Sequence, residues 1–585
     1  MPEQLAIPLA LLPFGGLSML CLRLLLLGTF TAGFLLCCSP LAVFASEETT
    51  ARARKFVKDH ERRLRPLDVA ANRAWWDANT TGKAEDFARK IDTQNRIDAA
   101  LGKAKIFAEL KNLKENRQQI DDPLLARAID VLYLLYLEKQ VDAALLKKMV
   151  TKANAIEETF NKFRARVDGK EMTDNEVRKA LKTSTNSERL QAVWEASKAV
   201  GGEVADDLKQ LVRLRNQAAV QLGFKNFHAL QLYLNEQDGT QLLKLFDELD
   251  ALTKAPFEKA KADIDARLAE RCGIKKAELR PWHYHDPFFQ ATPDVFATNL
   301  DTPFARADLT ALCRTFYAGI GLPIDRVIAR SDLLEKKGKS QHAFCTDIDR
   351  EGDVRVLANI RPNNQWASTM LHEFGHSVYS SLNIPATLPY ALRMESHILT
   401  TEGVAMMFER MSKRGQFLVK MDLPVKDVKA FDEAAAKTLR YQLLIFSRWC
   451  QVMLRFEKGM YENPDQDLNK LWWDLVEKYQ LVKRPAGRNA PDYASKVHIV
   501  SAPVYYHNYM MGELFASQVH HAIVRELYKD ADPNRVIYVG NKAVGEFMKK
   551  RVFEPGRSLS WNELTRHATG DPLTAKAFAA DFKAK

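Results

Sequence analysis

The stretch "TMLHEFGHSVYSSL", residues 369–382, contains two histidines four positions apart with a glutamate directly after the first. On an α-helix, residues four apart lie on one face, so His372 and His376 can direct two imidazole nitrogens at one metal ion. Glu373 projects at a neighbouring angle, from which it reaches a metal-bound water without displacing it. The pentapeptide also occurs by chance, and a helix with two packed or solvated histidines is the alternative.

A catalytic zinc site needs a third protein ligand, and the segment "RMESHILTTEGVAMMFERM", residues 393–411, offers one. We predict a second amphipathic helix here, folded against the first through the proline-containing loop before it. Glu402 follows His376 by 402 − 376 = 26 positions and is the predicted ligand. Glu395 and Glu409 each lie seven positions from Glu402, on the same helical face. We predict Glu395 as an outer carboxylate that supports a ligand histidine; a surface carboxylate is the alternative for either residue.

Amide hydrolysis also needs a hydrogen-bond donor for the tetrahedral oxyanion, besides the metal. The segment "SKVHIVSAPVYYHNYMMGELF", residues 495–515, is dense in candidates. Tyr506 and Tyr509 are three apart and can share a helical face. A phenol or a neutral imidazole of this segment is predicted to stabilise the oxyanion, with core packing as the alternative for any single aromatic residue. The polar candidates are Lys496, His498, Tyr505, Tyr506, His507 and Tyr509.

The composition is that of a folded, mostly helical protein. Hydrophobic residues are 46% of the 585 and charged residues 27%, which excludes a disordered chain. The net charge is +11, but basic and acidic residues are interleaved and no nucleic-acid-binding signature is present, so we expect no nucleic-acid partner. Apolar residues at three-and-four spacing predict helices from residue 46 onward. The exception is 335–365, where "HAFCTDI" and "VRVLANI" flank the turn "DREGD" and predict a small antiparallel hairpin.

The first 45 residues differ from the rest of the chain. Arg23, an apolar stretch and small residues before Ser46 are typical of a secretory signal, with Val43 and Ala45 at the expected positions before the cut. Met19 is an alternative start, and an uncleaved membrane anchor is the alternative function. We therefore predict four regions. They are a signal or anchor (1–45), an N-terminal helical region (46–334), the hairpin with the zinc-binding helices (335–420) and a C-terminal helical region (421–585).

Several of these motifs resemble known peptidases. "HEFGH", "MESHILTTEG" and "HIVSAPVYYHNYMMG" are similar to the thimet oligopeptidase and oligoendopeptidase F family, M3. "SKVHI", "SQHAF", "LVRLRNQAAVQLGFKNF" and "ANRAWWDANTTG" resemble the related angiotensin-converting-enzyme family, M2. Both belong to the gluzincins. The resemblance implies a mainly α, two-lobed zinc peptidase with a deep central channel and a β hairpin beside the zinc helix.

The resemblance also implies roles for individual residues. One Zn²⁺ per chain is held by His372, His376 and Glu402, with Glu373 as general base. His498 and a tyrosine bind the substrate carbonyl or the oxyanion. Tyr509 is our choice for the oxyanion and Tyr506 for the substrate, although one extra residue after His498 lets Tyr505 take either place. By analogy with the converting-enzyme family, Lys496 holds a substrate C-terminal carboxylate, and His342 and Ala343 offer an edge strand to the peptide backbone.

These expectations converge on an exported, periplasmic or secreted zinc metallopeptidase that hydrolyses short peptides. We predict a monomer, attached to a membrane only if the N-terminal segment stays uncleaved. Dipeptidyl carboxypeptidase action is one possibility, and internal cleavage by an oligoendopeptidase is the alternative. An inactive peptide-binding protein is the alternative from another functional class, and the intact set of predicted ligands argues against it.

Overall fold

The computed structural model describes residues 40–293, 299–529 and 531–582, with side chains from Ser46 onward. Most of the predicted signal segment, 1–45, therefore lies outside the described residues. The chain divides into two units, residues 1–45 and 46–585, and the second contains every predicted site residue. The internal boundaries at 335 and 421 and the predicted channel stay predictions.

Helices make up most of the described residues, so the prediction of a mainly α fold is confirmed. The strands found there form two separate two-stranded antiparallel sheets. The helices are α1 (Pro40–Thr81), α2 (Ala84–Leu101), α3 (Ala104–Glu115), α4 (Pro123–Leu137), α5 (Ala143–Lys162), α6 (Asp174–Thr183), α7 (Ser187–Gln221), α8 (Phe227–Leu234), α9 (Gly239–Cys272), α10 (Leu309–Gly319), α11 (Asp325–Arg330), α12 (Asn364–Val378), α13 (Ile398–Glu409), α14 (Gly415–Lys420), α15 (Val428–Glu462), α16 (Leu468–Gln480), α17 (His498–Ser501), α18 (Tyr506–Leu527), α19 (Lys542–Met548), α20 (Trp561–Thr569) and α21 (Lys576–Ala580). The strands are β1 (Ala165–Val167), β2 (Lys170–Met172), β3 (Phe344–Asp347) and β4 (Val354–Leu357).

The predicted hairpin beside the HEFGH helix is confirmed. Strands β3 and β4 pair antiparallel, with Phe344 opposite Leu357 and Asp347 opposite Val354. Both strands pack against α12. Val354 and Val356, two positions apart on one face of β4, are fully buried, and burial of alternating apolar side chains fixes the register of a strand pair.

A second hairpin lies where the sequence pattern predicts only helix. Helix α5 ends at Lys162, and β1 and β2 follow. The turn between them is Asp168–Gly169, and both residues have positive φ (52° and 76°). An Asp-Gly pair between short strands favours this two-residue hairpin turn, so the helical prediction through "FRARV" was wrong because the turn chemistry overrides the apolar periodicity.

The described helices of the second unit pack around three clusters of buried hydrophobic residues, of which the smallest is Trp76, Ile348 and Leu357. The first four helices pack around a core of their own, which includes Leu64, Ile129 and Leu132. A larger core runs from α5 to α21 and encloses α12 through Phe374 and Leu371. No helix in the described part of the chain combines the length and the apolar character that a membrane crossing requires.

Candidate metal centre and active site

Helix α12 brings the two histidines of the HEFGH motif together. Its N-terminus is capped by Asn363, whose side chain accepts a hydrogen bond from the backbone N–H of Trp366. One turn apart on this helix, the Nε2 atoms of His372 and His376 lie 3.1 Å from each other. Glu402 on α13 places a carboxylate oxygen 3.6 Å from His372 Nε2. One ligand atom from each of these three residues lies within 4.8 Å of the other two, the arrangement of a candidate metal site.

Two glycines allow the helices that carry the site to approach closely. A Cβ atom on Gly375 of α12 would lie 2.8 Å from the Cα atom of Ala405 on α13. A Cβ atom on Gly403 of α13 would lie 2.7 Å from the carbonyl oxygen of Gly512 on α18. Real Cβ atoms do not approach backbone atoms this closely, so only glycine fits. Gly375, the fourth residue of the HEFGH motif, is thus required for the packing of α12 against α13.

The outer partners of the two histidines are Glu409 and Thr401, not Glu395. The Nδ1 atom of His372 lies 2.8 Å from Glu409 Oε2, and the Nδ1 atom of His376 lies 2.8 Å from Thr401 Oγ1. The predicted helix over 393–411 begins only at Ile398, so Glu395 precedes it and the argument from a shared face fails. Among the described residues no hydrogen bond joins Glu395 to either histidine.

Glu373 is buried beside the histidines, with 7% of its surface exposed. Burial raises the pKa of its carboxyl group to about 7, against the opposing charge of His372 and with support from Glu402 and Glu409. The carboxylate also accepts a hydrogen bond from the backbone N–H of Cys345 on β3. A carboxylate with a pKa near neutrality, held at a metal site, is suited to moving a proton.

The hydrogen bond from Cys345 orients the hairpin toward this site. Ala343 directly precedes β3, which begins at Phe344, and His342, one residue earlier, is exposed. The predicted edge-strand pair therefore lies directly before the strand, and its role as an edge for the substrate stays a prediction.

The three tyrosines of the segment 495–515 face two different ways. The rings of Tyr505 and Tyr509 lie 5.0 Å apart, and burial together with the charge of Glu402 raises the pKa of both phenols. The Tyr506 hydroxyl points instead toward Gln290 Oε1, at 3.5 Å. His498 lies beside Tyr506, with 5.2 Å between the centroids of the two rings. Burial lowers the pKa of His498 to about 4, which leaves it neutral at physiological pH.

Lys496 is buried among aromatic rings, with 6% of its surface exposed. Its Nζ atom donates a hydrogen bond of 2.9 Å to Gln290 Oε1 and lies 5.0 Å from the ring centroid of Phe288. No carboxylate of the described residues lies within ion-pair distance of this cation. Sequence reasoning missed Gln290, which belongs to the Pro- and aromatic-rich connection 279–293. The composition of that connection gives no signal that one of its amides meets a lysine 206 positions later.

Both halves of the chain match models of peptidase families. Residues 328–584 match the model for Peptidase family M3, and residues 47–270 match the model for Angiotensin-converting enzyme. The chain is therefore similar to two families of peptidases, each over less than half of its length. The resemblance seen in the sequence is therefore confirmed. The HEFGH helix falls in the M3 match and the N-terminal helices in the converting-enzyme match, while "SQHAF" and "SKVHI", which resemble the converting-enzyme family, also lie within the M3 match.

Individual relatives are distant in sequence. Angiotensin-converting enzyme of Rattus norvegicus is 23% identical over 445 residues, which are 70% of this chain and 33% of the relative. Angiotensin-converting enzyme-like protein Ace3 of Mus musculus is 22% identical over 457 residues, 70% of this chain and 59% of the relative. Angiotensin-converting enzyme of Mesocricetus auratus is 24% identical over 443 residues, with 70% and 33% covered. The chain thus spans between a third and three fifths of the length of these relatives.

Proposed function

We propose that this metallopeptidase hydrolyses short peptides and removes dipeptides from a free C-terminus. The observation that carries the proposal is the buried Lys496, whose cation has only the neutral Gln290 as a hydrogen-bond acceptor among the described residues. A buried charge without a counter-charge is costly unless a ligand supplies one. The C-terminal carboxylate of a peptide is a ligand of the required charge and size.

The donor set fits one zinc ion per chain. Two imidazole Nε2 atoms and one carboxylate are a common zinc ligand set, and the Nδ1 atoms of His372 and His376 are engaged by Glu409 and Thr401. Those contacts leave both Nε2 atoms facing Glu402, which supports binding of a single ion by these three residues. When bound, zinc supplies Lewis-acid polarisation of the scissile carbonyl and lowers the pKa of the attacking water.

Glu373 is the proposed general base. It accepts the proton of the attacking water and later delivers it to the leaving amine. Its burial supports this role, because a pKa raised to about 7 balances the ability to take the proton against the ability to release it. The hydrogen bond from the N–H of Cys345 holds the carboxylate toward the hairpin edge, where the peptide backbone is proposed to lie.

Tyr509 and His498 are the proposed oxyanion donors. Tyr509 stands next to Glu402, and raised phenol pKa values keep such hydroxyls protonated and able to donate. Tyr505 shares this position and is the alternative donor. A neutral imidazole at His498 also carries one N–H group for donation. Loss of one donor of this kind costs about 3–4 kcal/mol of transition-state stabilisation.

The substrate backbone is proposed to pair with the hairpin, and its C-terminus to reach Lys496. His342 and Ala343 provide the edge to which an extended peptide can add as a strand. Tyr506 and Gln290 accompany Lys496 at the carboxylate end. An exported location and a monomeric state belong to this proposal as well, and they rest on the sequence of residues 1–45 and on the resemblance.

A digest of one short peptide with a free and with an amidated C-terminus tests the proposal. Mass spectrometry with and without a chelator should find stepwise loss of dipeptides from the free form only, abolished by the chelator. Internal cuts in both forms would favour an oligoendopeptidase, in which Lys496 has another role. Absence of chelator-sensitive cleavage at verified zinc occupancy would favour a peptide-binding protein.

A further inference from the structure

The segment that carries the proposed oxyanion donors contains a strained backbone. Val504 has a φ of +55°, and it directly precedes Tyr505 and the start of α18 at Tyr506. Nine non-glycine residues of the described chain have positive φ, and Val504 is the one among them with a β-branched side chain. This conformation is a genuine outlier for such a residue and is strained. The surrounding structure must therefore hold it.

Glu457 of α15 provides one such contact. Its Oε1 atom accepts a hydrogen bond of 2.9 Å from the backbone N–H of Val504. Glu457 is 2% exposed and Val504 is 3% exposed, so water does not replace this bond. Without it, a buried N–H group at a strained residue would be left without an acceptor, which is destabilising.

Arg215 of α7 holds the other end of the same segment. Its guanidinium donates to the carbonyl oxygens of Ile499 (3.0 Å) and Val500 (2.6 Å), directly after His498. It also donates to the hydroxyl of Tyr461, at 3.1 Å, one helical turn beyond Glu457 on α15. The side chain of Arg215 is buried, so its three contacts are fixed by packing. Two buried side chains from different helices thus fasten both ends of the stretch between His498 and Tyr505.

We propose that Glu457 and Arg215 are positioning residues that set the oxyanion donors of this peptidase: Glu457 holds Val504 in its strained conformation, and Arg215 holds the backbone at Ile499 and Val500. This inference rests on the proposed function, because it assigns His498 and the tyrosines to the reaction. Neither Glu457 nor Arg215 reaches the metal-binding residues. Their effect is expected in turnover, since a misplacement of about 1 Å in a catalytic donor costs up to about 100-fold in rate.

Glu457→Leu removes the acceptor and keeps a buried side chain of similar size. We expect kcat to fall about 10- to 100-fold, with KM within about twofold and zinc content unchanged. Glu457→Gln is the conservative variant, because its amide oxygen can accept the same hydrogen bond. Burial raises the pKa of Glu457 to about 8, so an uncharged acceptor is close to the state present near neutral pH. Glu457→Gln should therefore keep at least about a third of kcat.

Two substitutions at Val504 distinguish the effect of relieving backbone strain from the effect of removing a packed side chain. In the Glu457→Leu background, adding Val504→Gly should raise kcat about tenfold, because glycine adopts positive φ without strain. Val504→Ala removes nearly as much side chain but keeps the Cβ atom, and it should restore nothing. Equal recovery by both substitutions, or by neither, would overturn the strain-holding role. So would Glu457→Leu with the kcat of the unmodified protein.

Arg215→Lys supplies a second variant if Glu457→Leu does not fold. It keeps the buried cation but cannot bond both carbonyl oxygens in the same planar geometry, so kcat should fall about tenfold with KM retained. Unchanged kcat would overturn the role of Arg215. A chain that is inactive without any substitution, at verified zinc occupancy, would overturn the proposed function and with it this inference, which distinguishes the two failures.

Discussion

The candidate metal centre and the proposed substrate-facing segment of this chain are built in different ways. The proposed zinc ligands stand on two helices, α12 and α13, where helical geometry sets the spacing of their side chains. The segment 496–509 instead runs through a short helix, a strained turn and the start of α18, and residues from α7, α15 and the connection 279–293 fix its geometry. The first arrangement is local in sequence, whereas the second depends on contacts more than 200 positions away for Gln290 and Arg215.

This difference predicts which substitutions should affect metal binding and which should affect turnover. A helix keeps His372 and His376 in register whatever surrounds them, provided that it forms. The oxyanion donors have no such local support, so substitutions in distant helices should move them while the metal stays bound. The predictions below test that separation, starting with the substitution expected to have the largest effect.

Glu373→Gln should separate metal binding from turnover most clearly. The substitution removes the proposed base but none of the three proposed ligands, so zinc content should stay at one ion per chain. Loss of the base should lower kcat by about 10³-fold or more. Zinc is measured by elemental analysis of the purified protein, and kcat by peptide cleavage. His376→Ala is the matched opposite case, which should lose both zinc and turnover. Near-normal turnover of Glu373→Gln would remove the base assignment.

The sequence predicted that His372, His376 and Glu402 come together, and it did so for a physical reason, although their roles stay predictions. The spacing of His372, Glu373 and His376 is read directly as positions on a helix, and Glu402 is recovered because a second helix was expected to fold back. The prediction failed where a helix boundary decided the outcome. Helix α13 begins at Ile398, so Glu395 has no helical relationship to Glu402, although both glutamates seven positions from Glu402 look equivalent in the sequence.

That error provides the second test. Glu409→Gln removes the carboxylate that contacts His372 Nδ1, and it should weaken zinc binding about 10- to 100-fold, as expected for an outer partner of a metal ligand. Glu395→Gln is the matched control, because it makes the same chemical change at the same sequence distance from Glu402 on the other side. Its zinc affinity should stay within about twofold of the original value.

Competition with a chelator of known affinity measures both variants. Equal loss of affinity in the two would mean that the metal centre responds to general charge, and that the contact between His372 and Glu409 has no special role. An effect confined to Glu395→Gln would restore the assignment made from the sequence. Either result would weaken the view that helical position alone defines this side of the molecule.

The substrate-facing segment 496–509 was less predictable. Its sequence shows which residue types are present, but it does not show which distant residues they contact. Tyr505, Tyr506 and Tyr509 were open alternatives, and the tertiary structure separates them: two stand by Glu402 and one by Gln290. Gln290 could not be predicted from a motif, because it lies in a loop, where no helical or strand periodicity indicates which residue its side chain contacts. The same holds for the positive φ of Val504, which follows a proline in a segment without glycine.

The smallest expected effect concerns the charge of Lys496. Burial lowers the pKa of this lysine to about 8, with Asp286 opposing the shift and Arg178 adding to it. Lysine is charged below its pKa, so the cation is present at pH 7 and is lost as the pH rises through about 8. Because the pH dependence of kcat/KM reports groups of the free enzyme, kcat/KM for a peptide with a free C-terminus should fall about tenfold per pH unit above that value.

Comparison with an amidated peptide distinguishes the titration of Lys496 from that of the other ionisable groups. It presents no carboxylate, so its kcat/KM should lack the additional decline above pH 8, provided that cleavage is measurable. In Lys496→Arg the decline of kcat/KM should move above the pH range that can be measured, since a guanidinium stays protonated. Lys496→Met should lower kcat/KM for the peptide with a free C-terminus at pH 7, and its kcat/KM should show no decline above pH 8. A decline of equal size for both peptides would assign the titration to another group. Lys496 would then be a buried structural cation, and the substrate side of the site would select its peptides by backbone pairing along β3 alone.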